Sequence, residues 1–165
     1  MARRVAKVRV EMVKEKSVYC KLQELSTPER AAEFARSLFY TVTEKELTCP
    51  AKECLVVCCV DAKCKPLVIE YVSIGTSNAS LVGMKEVFMT AMLSNADGIF
   101  CFHNHPSGVP LPSIADNLIT KKIRAAGELL DIPLRDHLII GDEGYYSFDE
   151  KRISNWKEEE YAQVC

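Results

Sequence analysis

The sequence has eight cysteines but no C-x-x-C pair among them, which removes the zinc-knuckle and thioredoxin-like readings. It has no apolar run long enough to cross a bilayer. The longest, Cys54 to Val60, is about a third of the roughly 20 residues a spanning helix needs. No secretory leader is expected, since Met1-Ala-Arg-Arg4 is followed by alternating, not continuous, apolar residues. It has no surplus of basic charge either, with 21 basic against 23 acidic residues and a formal net charge of -2. A protein living mainly on nucleic acid carries a basic footprint that this chain as a whole does not. Internal repeats, low-complexity tracts and linkers are absent too. These absences predict a cytoplasmic chain with reduced thiols, no membrane partner and a single domain. Histidine is scarce as well, three in 165 residues, so the placement of each is informative.

A length of 165 residues with 48% hydrophobic content allows a self-sufficient core, since a domain of this size buries roughly 70% of its unfolded surface. The first 21 residues depart from the overall charge balance. They hold Arg3, Arg4, Lys7, Arg9, Lys14, Lys16 and Lys21 against Glu11 and Glu15, either the solvated face of a strand or an arm for nucleic acid. Val8, Val10 and Met12 alternate with Arg9 and Glu11 as in a half-exposed strand. Thr27-Pro28-Glu29 reads as an N-cap, a first-turn proline and a first-turn acid. The helix they open carries Ala31, Phe34, Ala35, Leu38 and Val42 on one face, and Cys49-Pro50 blocks its continuation. Cys54–Val60 and Leu67–Ile74 are predicted strands around a polar turn, followed by a loop from Gly75 to Ser80. A helix from Met84 to Leu93, with Met84, Val87, Phe88 and Ala91 at helical spacing, precedes a buried strand from Gly98 to Phe102. The loop Pro106–Pro112 leads to a helix over about Ile114–Leu130, with Ile114, Leu118, Ile123, Ala126 and Leu130 facing one way. His137–Ile140 and Tyr145–Phe148 finish as strands around the turn Gly141–Gly144, and the charged tail from Glu150 is expected to fray unless Trp156 anchors it. The divisions expected are an extension over 1–26, a mixed α/β domain over 27–150 and a tail over 151–165.

Two of the three histidines, His103 and His105, lie two apart at a strand end. Strand side chains alternate faces, so the two imidazoles point the same way, as zinc ligands do. Asp116 follows after ten intervening residues, in the first turn of the next helix. If the loop folds back, its carboxylate completes a three-ligand set with one position left for water, which marks catalytic rather than structural zinc. Ser113 and Asp116 also fit a helix capping box, with no metal required. The letters His103-Asn104-His105 bring the HNH nucleases to mind, but there the three residues are spread over a ββα unit, and contiguity argues against the match.

His103-Asn-His-Pro-Ser-Gly108 followed by Pro112-Ser-Ile-Ala-Asp116 resembles the H-x-H-x7-S-x2-D signature of the JAMM (MPN+) metalloprotease superfamily. Gly75–Ser80, Ala126–Leu130, Asp136–Gly141 and Tyr145–Phe148 resemble the bacterial RadC family in particular, so that the likeness covers about 27–150. The resemblance implies a cytidine-deaminase-like JAB/MPN sandwich of the α/β class, a central mixed β-sheet flanked by helices. It implies a Zn2+ ion on His103, His105 and Asp116, with Ser113 assisting the oxyanion and an upstream glutamate as general base. Glu53, opening the first core strand, is the first choice for that base, and Glu86 the second. Asn104 would tie down a loop, Gly108 would permit the turn, and His137 would be a buried structural residue or a neighbour of the ligands.

The implied activity is hydrolysis of a peptide or isopeptide bond by metal-activated water, with a protein or peptide as substrate. Members commonly carry an N-terminal helix-hairpin-helix segment that binds DNA. No glycine-centred hairpin stands among the roughly 45 residues ahead of this core, so a short, catalytic-domain-only form is expected. Two other functions compete: a DNA-associated accessory protein linked to repair, docking through its basic N-terminus, and a metal-stabilised interaction module without turnover. Exposed sheet edges leave a homodimer open as well.

Overall fold

The computed structural model describes residues 12–13, 24–40, 52–74 and 82–156. The basic N-terminal stretch apart from Met12 and Val13, and likewise Val42, Cys49-Pro50, the loop Gly75–Ser80 and everything past Trp156, lie outside them. Three helices, α1 (Pro28–Tyr40), α2 (Met84–Leu93) and α3 (Ile114–Leu129), accompany six strands. The strands are β1 (Cys54–Val60), β2 (Pro66–Ile74), β3 (Gly98–Asn104), β4 (Leu134–Ile140), β5 (Gly144–Ser147) and β6 (Arg152–Asn155). They form one sheet in the order β2-β1-β3-β4-β5-β6. Only β3 and β4 run parallel; the other neighbours are antiparallel. The fold is α/β with a mixed central sheet, as the sequence implies. No helix among the described residues is long and apolar enough to cross a membrane.

The sheet sorts its side chains between two cores because successive strand residues face opposite ways. Cys54, Val56, Cys58 and Val60 of β1 join Phe100, Phe102, Leu138 and Ile140 in packing against α1. Leu55, Val57 and Cys59 join Ile99 and Cys101 in packing against α2 and α3. Every residue of β1 and β3 is buried, which explains why both read as continuous apolar runs instead of alternating ones. Four of the five described cysteines are buried. Burial pushes the Cys59 thiol up to about 11 and raises Cys101 further, so these thiols pack as small hydrophobes.

The parallel β3–β4 pair needs a crossover, and α3 supplies it. This helix is turned differently from its apolar spacing. Its buried residues are Asp116, Ile119, Thr120, Ile123 and Gly127, whereas Ile114 is 82% exposed and Leu118 54%. Rotation toward the sheet follows Asp116 and Ile119, not the Ile114–Leu118 stripe. The tail also departs from expectation. It does not fray at Glu150: β6 pairs with β5, and Trp156 is buried with its indole N–H donating to the Gly141 carbonyl at 3.2 Å. The Arg36 guanidinium lies 4.8 Å over the same ring, a cation–π contact that closes α1 onto the chain's last described residue.

Asp136 joins β4 to the turn beyond β5. It is buried, and its Oδ1 accepts the backbone N–H of His137 at 2.7 Å and of Asp149 at 2.9 Å, while Oδ2 accepts the Ser147 hydroxyl at 2.6 Å. Burial outweighs these bonds and pushes its carboxyl up to about 6 from 3.8. The folded state therefore holds this proton over a range where the unfolded chain has released it. The stability it contributes is present below pH 4 and lost as pH rises through 6, by about 2–3 kcal/mol. Asp136→Asn removes the titration, so the variant should gain on the wild type by that amount between pH 3.5 and pH 7.5. Urea unfolding of both proteins at the two pH values checks this; a constant difference between them would show that Asp136 does not titrate in this range.

Candidate metal centre

The centre forms where the end of β3 meets the start of β1 and the first turn of α3. Antiparallel register sets Leu55 opposite His103 and Cys54 opposite Asn104, which brings Glu53, one residue before β1, beside the histidines. His103 is the sixth residue of β3 and His105 follows the strand directly. The His105 backbone N–H still reaches the Ile140 carbonyl at 3.2 Å, so strand alternation carries through to it. The two rings lie 4.9 Å apart at 89° to each other.

Asp116 is brought in by the capping box of α3, in which the Ser113 hydroxyl accepts the Asp116 N–H and the Asp116 carboxylate accepts the Ser113 N–H. Capping and ligation are therefore not alternatives here, because one carboxylate that caps the helix also faces both imidazoles. Oδ2 accepts the Ser113 N–H at 2.7 Å and the Ser113 hydroxyl at 2.6 Å, and lies 3.6 Å from His105 Nε2. Oδ1 lies 3.2 Å from His103 Nδ1. Burial alone would raise this carboxyl, but bonds from His103, His105 and Ser113 outweigh it and hold Asp116 well below the usual carboxylate range.

Each histidine is oriented from behind. His105 Nδ1 is 2.8 Å from the Val109 carbonyl, which only accepts, so Nδ1 carries a proton and in the neutral ring Nε2 turns to the centre as the bare nitrogen. The Asp116 carboxylate, 3.6 Å from Nε2, leads the causes that raise the His105 pKa, against burial. His103 lies between two carboxylates, with Asp116 at Nδ1 and Glu53 Oε1 2.8 Å from Nε2. A neutral imidazole has one N–H and cannot donate to both, whereas a cation among these groups would satisfy all of them.

Ligand atoms of Glu53, His103, His105 and Asp116 all lie within 4.8 Å of one another. Two imidazoles and two carboxylates are a donor set that could hold a metal ion. Among the glutamates proposed from sequence, the fold brings Glu53 to the histidines and leaves Glu86 exposed in the first turn of α2. Ser113 lies at the cluster through its bond to Asp116.

Asn104 points away from the ligands, and what it holds is the approach to β1. Its Oδ1 accepts the Cys54 N–H at 2.8 Å and its Nδ2 donates to the Lys52 carbonyl at 3.0 Å, so one amide grips the backbone on both sides of Glu53. Gly108 adopts a φ of +75°, and a Cβ there would meet the Asp142 carboxylate at 2.2 Å. The glycine permits the turn that closes the loop between His105 and Ser113.

His137 is fully buried in β4 and is not one of the four clustered residues. Burial drops its pKa to about 3, which keeps the ring neutral. Thr120, its partner at 2.7 Å, was not singled out in the sequence. The available signal was its position four residues after Asp116, on the same face of α3.

A family profile described as RadC-like JAB domain matches residues 25–153. A UPF0758 protein of Thermotoga maritima is 41% identical over 107 residues, covering 65% of this chain and 48% of its own. One from Alkaliphilus metalliredigens is 45% identical over 102 residues, 62% of this chain and 44% of its own. One from Listeria monocytogenes is 50% identical over 78 residues, 47% and 35%. The chain thus aligns with about half the length, or less, of these curated relatives. With the sheet, the capping box and the histidine pair in agreement, this chain belongs to the RadC family and carries its JAB/MPN domain.

Proposed function

We propose that this chain is a zinc-dependent hydrolase of the JAMM type that cleaves a peptide or isopeptide bond. The observation that carries this reading is the convergence of His103, His105 and Asp116 with Glu53 from just before β1, their ligand atoms all within 4.8 Å of one another. Spacing supports zinc in particular. Ligands about 2.0–2.1 Å from a tetrahedral ion lie about 3.3 Å from each other, close to the 3.2 Å between Asp116 Oδ1 and His103 Nδ1, with Oδ2 3.6 Å from His105 Nε2.

His103, His105 and Asp116 would hold the ion, and Glu53 is left for proton transfer. Bound zinc supplies Lewis acidity, which makes water acidic near pH 7 and polarises a carbonyl. Glu53 takes the proton that water gives up as it attacks the scissile carbonyl, and returns it to the departing amine. Asn104 keeps the Glu53 backbone from shifting during both transfers, since it is tied on each side. The Ser113 hydroxyl donates to Asp116 Oδ2 here; rotated outward, it donates to the oxyanion that develops on the substrate. Turning only the O–H bond leaves Oγ accepting the Asp116 N–H and the carboxylate accepting the Ser113 N–H, so the helix cap survives the change.

Two measurements test the reading. Elemental analysis after dialysis should find about one zinc per wild-type chain, and none in Asp116→Ala. An equal zinc content in both would remove Asp116 from the site. Glu53→Gln should retain zinc yet hydrolyse a quenched peptide mixture or a lysine-linked isopeptide 10²–10⁴-fold more slowly than wild type, roughly the contribution of a general base. Hydrolysis at the wild-type rate by this variant would remove Glu53 from the chemistry.

A further inference from the structure

We propose that His137 is a positioning residue for this centre, fixing the His103 ring and the Asp116 backbone together from outside the donor set. The proposal rests on the metal-site reading above.

His137 stands opposite Cys101 in the parallel β3–β4 pair, two residues before His103 on β3. Its ring is stacked between two others: Phe148 at 4.8 Å and 10° on one side, His103 at 6.1 Å and 7° on the other. A ring offset and parallel to a fully buried neighbour is limited in how far it can tilt toward it, and that neighbour is itself backed by Phe148. His137 thereby limits the orientation of His103 from β4.

The same ring reaches the other ligand through Thr120. His137 Nδ1 is 2.7 Å from Thr120 Oγ1, which lies 2.6 Å from the Asp116 backbone carbonyl. A carbonyl only accepts, so the single hydroxyl proton goes to Asp116, and Thr120 accepts from His137 Nδ1–H. This chain of bonds ties the first turns of α3 to β4, and with them the rotation that turns Asp116 inward and leaves Ile114 in solvent. His137 Nε2 is buried without a hydrogen-bond partner among the described residues, an unfavourable state for a ring nitrogen. A phenyl group would fill the volume without that penalty. What the imidazole adds is the Nδ1–H donor to Thr120.

Cobalt(II) and zinc titrations of metal-free protein test this, read by the visible absorption of tetrahedral cobalt and by competition with a chelator. Thr120→Val and His137→Phe should each weaken metal binding 10–100-fold, the usual effect of losing a group that orients a ligand, and should shift the cobalt bands. Thr120→Ser should restore both toward wild type. Thermal midpoints of the metal-free variants separate positioning from simple support: lower midpoints with unchanged affinity and spectrum overturn the proposal. Should Thr120→Val not fold, Thr120→Ala against Thr120→Ser makes the same comparison. A wild type that takes up neither metal overturns the site reading itself, and this proposal with it, before any variant is compared.

Discussion

A carboxylate that is 1% exposed governs this part of the molecule. Asp116 can stay ionised out of water only if donors surround it, because an uncompensated buried charge costs several kcal/mol or more. The surrounding groups come from three places: the Ser113 backbone and hydroxyl, His103 from β3, and His105 from the loop that follows. The cap, the strand end and the loop are each shaped by the need to meet this one group. The rotation of α3 follows too, since the helix turns its acid inward and gives up burial of Ile114 and Leu118.

The histidine pair was legible because it depends only on the two-residue alternation of a strand, which β3 obeys through His103 and nearly to His105. The strands β1 and β3 were legible from apolar runs bounded by polar turns. The apolar face of α3 was misread because hydrophobic spacing treats helix rotation as a question of oil and water. Here a charge with fixed partners decided it. Glu53 against Glu86 was open for a related reason. Both are acids just outside or at the start of an element, and only strand register, which pairs Leu55 with His103, puts one of them at the centre. β6 was missed because Arg152-Ile-Ser-Asn155 has little apolar signal; its order comes from β5 and from Trp156 docking on the Gly141 carbonyl.

The division of labour among neighbouring residues is sharp. In the tripeptide His103-Asn104-His105 the outer two face the centre, and the middle one faces the backbone that carries Glu53. Behind them, backbone carbonyls and buried rings fix which nitrogen is bare and how each plane lies: Val109 for His105, His137 for His103. In the loop between His105 and Ser113, the positive-φ position is Gly108. His103 and Asp116 lie within regular elements, and Glu53, His105 and Ser113 stand directly at the ends of such elements, which favours precise placement over adaptability.

Asn104 has a consequence for anyone wishing to move this centre elsewhere. Because its amide clamps Lys52 and Cys54, the acid just before one strand is spaced from the imidazoles at the end of the next across a single antiparallel pair. The portable unit is two antiparallel strand ends in this register, the stretch of β4 that backs them, a short glycine-bearing connection, and one helical turn beginning with serine. A graft of the histidines and acids alone, without the asparagine between them, would transfer the reagents and leave behind the ruler that spaces them.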